Sequence, residues 1–121
     1  MQRKLSNSVK VRYFNREEIL LSLKETAQRI KIAFQEVENI LLFGSLSGQN
    51  ANLRSDADIL IILKESKENR FFDRIPTYMD SFLNIPISID ILPYTREEIH
   101  RMKLNGNLFI NRALKEGISL L

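Results

Sequence analysis

Residues Ile59-Leu60-Ile61-Ile62-Leu63 form an unbroken run of β-branched and leucine side chains. A run without polar alternation leaves no face for solvent, so it predicts a central strand buried on both sides. Asp56-Ala57-Asp58 heads that run. Side chains alternate along a strand, so Asp56 and Asp58 project together from its entrance. Upstream, Leu41-Leu42-Phe43 closes on Gly44-Ser45, eleven residues before Asp56. That reads as a second strand ending in a tight turn. Two like charges held so close favour a divalent cation. A Gly-Ser turn presents backbone amides suited to phosphate. Together the two motifs point to metal-dependent chemistry on a nucleotide.

The remaining segments supply layers to cover such a strand. Residues 1–14 have no clean period and read as an N-terminal arm, with Val9, Val11 and Tyr13 alternating as a short edge strand would. Asn15 with Glu18 three residues on has the pattern of a capping box. Behind it Ile19, Leu23, Ala27, Ile30, Phe34 and Val37 recur at helical spacing. Asn39–Phe43 reads as a strand, 44–55 as a polar turn-rich segment and 64–69 as a charged connection. Residues 70–83 have helical spacing, and Pro76 either starts that helix or kinks it. The strand expected over 86–92 alternates isoleucine with Ser88 and Asp90, and Pro93 is expected to stop it. Thr95 with Glu98 repeats the capping-box pattern, opening a helix through Met102 that Asn105-Gly106-Asn107 breaks. A last helix is expected over Leu108–Lys115 with Gly117 as its stop. Ile118–Leu121 then adds an edge strand or packs under the sheet. The order implies one α/β (α+β) domain over 1–121, a small mixed β-sheet with helices packed on it.

Composition narrows the chemistry by elimination. There are no cysteines, which removes disulfides, zinc-thiolate sites and thiol catalysis. The single histidine, His100, speaks against a Ser/His/Asp triad or a multi-histidine metal site. Carboxylates and hydroxyls remain. No apolar stretch approaches the roughly 20 residues that span a bilayer, and the N-terminus has no signal-peptide core, so a cytoplasmic protein without a membrane role is expected. The net charge of +3 is mild, with Arg3, Lys4, Lys10 and Arg12 at the front. Such an arm is expected to be solvated rather than a surface for direct nucleic-acid binding.

Asp90 is the third carboxylate. An aspartate in a strand that is otherwise isoleucine every second residue is costly unless paired, solvated or metal-bound. If its strand lies beside 57–63, then Asp56, Asp58 and Asp90 converge. Magnesium is a hard cation that takes oxygen ligands. Two such ions about 4 Å apart stabilise the attacking and leaving oxygens of a phosphoryl displacement. Each element alone has an ordinary reading, as a common turn, a strand-entry Ser-Asp or a solvated edge position. Their order and strand-compatible placement favour a site.

The run from Phe43-Gly44-Ser45-Leu46 to Ser55-Asp56-Ala57-Asp58-Ile59-Leu60 resembles the signature of the polymerase-beta-like nucleotidyltransferase superfamily. It is most similar to the minimal nucleotidyltransferases of bacteria and archaea. Ile89-Asp90-Ile91 resembles the family's third-carboxylate strand, and Asn105–Ile110 with Lys115–Ile118 its usual ending. The resemblance implies that fold, and nucleotide binding by Gly44 and Ser45. It also implies Asp56, Asp58 and Asp90 as catalytic residues and ligands of two magnesium ions, with ATP as substrate. It implies transfer of AMP to a hydroxyl, in this family often a tyrosine of a HEPN-type helical toxin partner that the transferase neutralises. Two other readings stand beside it: a non-catalytic binding module that blocks its partner by contact, and a small-molecule transferase of the aminoglycoside type. Leu46 stands where members often carry arginine, and Gly48 falls one residue early. Arg54, Arg70 and Arg74 are the candidates to compensate, each otherwise a surface residue, as is His100. Tyr78 and Tyr94 read as packing residues. The apolar end Leu120-Leu121 allows a homo-oligomeric interface.

Overall fold

The computed structural model describes residues 15–44 and 57–121. The expected arm and edge strand within 1–14 and the segment 45–56, which includes Ser45, Leu46, Arg54 and Asp56, lie outside the described residues. Asn15 caps the first helix, α1 (Arg16–Ala33), its side-chain oxygen accepting the Glu18 N–H at 2.8 Å. The apolar stripe of Ile19, Leu23, Ala27 and Ile30 is buried. The helix stops at Phe34, whose extended backbone leads into β1 (Val37–Phe43). Val37 therefore continues the core from a strand, not from the helix as its spacing suggests.

β1 pairs antiparallel with β2 (Ala57–Leu63), which pairs parallel with β3 (Ile89–Thr95). A two-residue β4 (Ile118–Ser119) pairs antiparallel with β1, giving the order β3-β2-β1-β4. β2 is the central buried strand. Its alternate residues Ala57, Ile59, Ile61 and Leu63 pack in one cluster with α1, and Leu60 packs in a second cluster on the opposite face. The first face also carries Tyr78 and Phe82, from α2 (Phe71–Met79) and the 3-10 turn that follows it. The second is covered by α3 (Arg96–Leu104) and α4 (Leu108–Glu116) through Ile99, Ile110 and Ala113. The fold is thus a mixed four-stranded sheet with helices packed on it. Among the described residues no helix is long and apolar enough to cross a membrane.

One proline departs from expectation, and the other takes the second of its two expected places, inside a helix. Pro76 does not start α2; the helix begins at Phe71 and runs past it. Burial of Tyr78 and Phe82 downstream offsets the missing backbone bond. Pro93 does not stop β3, which continues to Thr95. β3 is an edge strand, where a position without an N–H is tolerated on the unpaired side. The last helix does stop at Gly117, but with φ −65° rather than a left-handed turn. Glycine is needed there because a Cβ would run into the Ala113 carbonyl. At the C-terminus Leu120 is 1% exposed and bonded through its N–H to the Ile40 carbonyl, while Leu121 is 42% exposed. Only one residue of that apolar end is therefore at the surface.

One polar knot locks the elements around β3. Arg74, expected at the surface, is 4% exposed. It donates to the carbonyls of Glu68 (2.9 Å), Asn69 (3.3 Å) and Pro93 (3.1 Å), and to the Glu98 carboxylate at 2.5 and 3.1 Å. Glu98 also completes the expected capping box, accepting the Thr95 N–H at 2.8 Å while Thr95 Oγ1 accepts its own N–H at 3.2 Å. Burial pushes the Glu98 carboxyl up, but the Arg74 hydrogen bonds and the Thr95 N–H outweigh it and hold it below its ordinary value.

Because its folded value is depressed, Glu98 contributes stability above its unfolded value near 4.5, and loses it as pH falls through the lower folded value. Glu98→Gln is therefore less stable than wild type at neutral pH, and the gap in denaturant-unfolding free energy narrows below about pH 4.5. Arg74→Met leaves the Glu98 carboxylate without its cation and three carbonyls without the Arg74 donors, and is expected to cost about 3 kcal/mol in the same measurement.

Candidate active site

Asp58 and Asp90 are the second residues of β2 and β3, and they are direct register partners across that parallel pair. Adjacent strands lie about 4.8 Å apart, so the two carboxylates leave neighbouring points on the sheet. By alternation both belong to the face of Leu60 and Leu92, which α3 and α4 cover. One step toward the strand entrances that cover ends: Asp58 is partly buried and Asp90 exposed. Like charges placed side by side across strands repel. Among the described residues no ion pair neutralises Asp90. A hard divalent cation is the chemical answer to such a donor set. The described part holds two of the three expected ligands, and among the described residues no group of three acidic or histidine side chains gathers. Asp56 and Ser45 are outside those residues.

Gly44 closes β1 beside them. Its neighbour Phe43 is the register partner of Asp58. Gly44 has φ +88°, a conformation that favours glycine, and a Cβ built there would fall on Asp58 Oδ2. The glycine thus makes the turn and clears the space that the Asp58 carboxylate fills. It also leaves backbone exposed to close approach by a ligand, as phosphate sites require.

Two hollows meet at Asp58. One, of about 430 Å³, lies between Phe43, Gly44 and Asp58 and the α4 residues Leu108, Phe109, Arg112 and Glu116. The other, of about 390 Å³, joins Asp58 and Asp90 to the apolar residues Phe71, Ile75 and Met79 of α2. Phe109 lines both and meets Phe43 edge-on, ring centres 5.1 Å apart. The α4 contribution was not visible in the sequence reading. Its signal is that Leu108 and Phe109 are apolar yet stand outside the buried Ile110 and Ala113 stripe.

A larger hollow, about 740 Å³, opens at the opposite end of β2 around Glu36, Lys64, Glu68 and Tyr78. It lacks a glycine turn, and its arginine, Arg74, is already saturated. Burial, reinforced by a 2.7 Å hydrogen bond to Glu36, pushes the Tyr78 hydroxyl up, so it remains a protonated donor. The smaller pair of hollows, which holds Gly44, Asp58 and Asp90, is the candidate site. Of the arginines considered from sequence, Arg70 pairs with Asp73 at 3.0 Å on the surface. His100 is exposed on α3, and Tyr94 stacks on Phe71 at 4.6 Å.

The sequence model of the family described as "Nucleotidyltransferase domain" matches residues 22–120. The fold is similar to the crystal structure of a protein from Sulfolobus solfataricus provisionally designated a nucleotidyltransferase. The TM-score is 0.58 with 23% sequence identity, covering 86% of this chain and 80% of that one. No curated protein matches the chain.

Two left-handed glycines separate strain from space. Gly106, with φ +72°, has nothing within 4 Å of a built Cβ. Gly106→Ala is expected to cost only backbone strain, about 1 kcal/mol, and Gly44→Ala about 1–2 kcal/mol more. In an Asp58→Ala background the excess at position 44 disappears, as a double-mutant cycle on unfolding free energies will read.

Proposed function

This chain belongs to the nucleotidyltransferase domain family, and from that premise we propose that it moves AMP from ATP, with magnesium, onto a hydroxyl acceptor. The acceptor in this reading is a tyrosine of a HEPN-type helical toxin partner, whose modification neutralises it. The observation that carries the catalytic part is the register pairing of Asp58 with Asp90 at the open end of the sheet, with Gly44 yielding room to Asp58. The acceptor and partner rest on the resemblance of the Gly44–Asp58 motif to the minimal nucleotidyltransferases.

Asp58 and Asp90, with Asp56, are the residues that would hold magnesium. When bound, that ion neutralises charge on the triphosphate and on the attacking and leaving oxygens. Gly44 brings backbone up to the phosphates with no side chain in the way. Asp90, the more exposed carboxylate, takes the proton of the acceptor hydroxyl. The acceptor oxygen then bonds to the α-phosphorus. The bond from that phosphorus to the α–β bridging oxygen breaks, and its electron pair leaves on pyrophosphate. Leu46 in place of arginine favours a second reading, neutralisation by contact alone. In that case calorimetry shows no magnesium-dependent ATP heat.

Incubation of the protein and its partner with magnesium and ATP labelled at the α-phosphate is expected to label the partner. Asp58→Asn keeps the size of the side chain and removes a ligand charge. It is expected to cut labelling by more than about 10²-fold, a loss that even outer-shell changes at metal sites reach. Absence of label from the wild-type protein overturns the catalytic reading.

A further inference from the structure

Resting on that reading, the site needs a cation beside its carboxylates, and Arg54 of its motif lies outside the described residues. ATP brings several negative charges next to Asp58 and Asp90, and position 46 is leucine. Arg74 is committed to four acceptor groups inside the protein, and Arg70 is held by Asp73. Among the described residues that line the two hollows meeting at Asp58, one is cationic: Arg112 of α4. It lines the hollow of about 430 Å³ together with Gly44 and Asp58.

Arg112 is placed to be recruited. Its side chain is 77% exposed, and its partner is Glu116 one turn on, at a long 3.6 Å. An exposed i,i+4 pair of this kind contributes little to the fold. A guanidinium in contrast binds phosphate oxygens through paired N–H donors. We propose that Arg112 is a triphosphate-binding residue: on nucleotide binding it leaves Glu116 and donates to the phosphates held against Gly44 and Asp58. This fixes a direction for the site. The nucleotide lies on the α4 side, and the apolar hollow of Phe71, Ile75 and Met79 is left to the acceptor.

Calorimetric titration with ATP and magnesium, with adenosine as a phosphate-free probe, tests the assignment. Arg112→Gln is expected to weaken ATP binding by at least about tenfold, the scale of one charge-assisted contact, with adenosine binding unchanged. Glu116→Gln, which releases Arg112 and removes a nearby negative charge, is expected to tighten ATP binding by a few-fold. Lys115, exposed on the same helix but absent from the hollow, serves as the charge control. Equal losses in Arg112→Gln and Lys115→Gln, or undiminished ATP affinity in Arg112→Gln, overturn the assignment while leaving the nucleotidyltransferase reading intact. No magnesium-dependent ATP heat from the wild-type protein instead removes that reading, and the role of Arg112 with it.

Discussion

β2 has no free edge and no free face. β1 takes one edge and β3 the other, α1 and α2 pack on one side, and α3 and α4 on the opposite side. A strand so enclosed must be apolar wherever it is covered, and Ile59 to Leu63 obey that rule. A polar residue fits only where cover ends. Asp58 occupies that boundary, one residue before the run. Because β3 runs parallel in register, the same boundary falls on Asp90. The carboxylate pair is thus set by the burial of the strand behind it, and a slip of one residue would send both charges toward the α1 core.

A second dependence runs through Arg74. Its donors bind the carbonyls that lead into α2, the carbonyl of Pro93 in β3 and the carboxylate that caps α3. These contacts tie the crossover helix to the edge strand it feeds. β3 needs that support, since it is paired on one side only and contains a proline. Holding β3 against β2 is what keeps Asp90 beside Asp58, so the knot, though distant from the site, positions half of it. Gly44 performs the matching task from the other neighbour, β1, by leaving the volume that the Asp58 carboxylate fills.

Much of this was legible in the sequence because it follows from local periods. Alternation placed Asp58 and Asp90 on strands, the continuous apolar run named the central strand, and the Asn15 and Thr95 caps located two helix starts. What was not legible depended on distant partners. Whether Pro93 ends a strand depends on which edge is paired, and nothing near residue 93 encodes that. Arg74 looks like any surface arginine until Glu98, twenty-four residues on, arrives beside it. Phe109 and Arg112 enter the site only because α4 folds back over the end of β1. Gly117 marks the end of a helix as expected, yet for want of space rather than for a positive φ.

In the proposed reading a divalent ion and a nucleotide meet at the heads of β2 and β3. Manganese replaces magnesium in oxygen-ligand sites and broadens NMR signals near it. In the presence of ATP, substoichiometric manganese is predicted to broaden the backbone amides of Gly44, Asp58 and Asp90 first. Broadening centred on Glu36, Glu65 and Glu68, at the larger hollow beyond the far end of β2, would contradict the account.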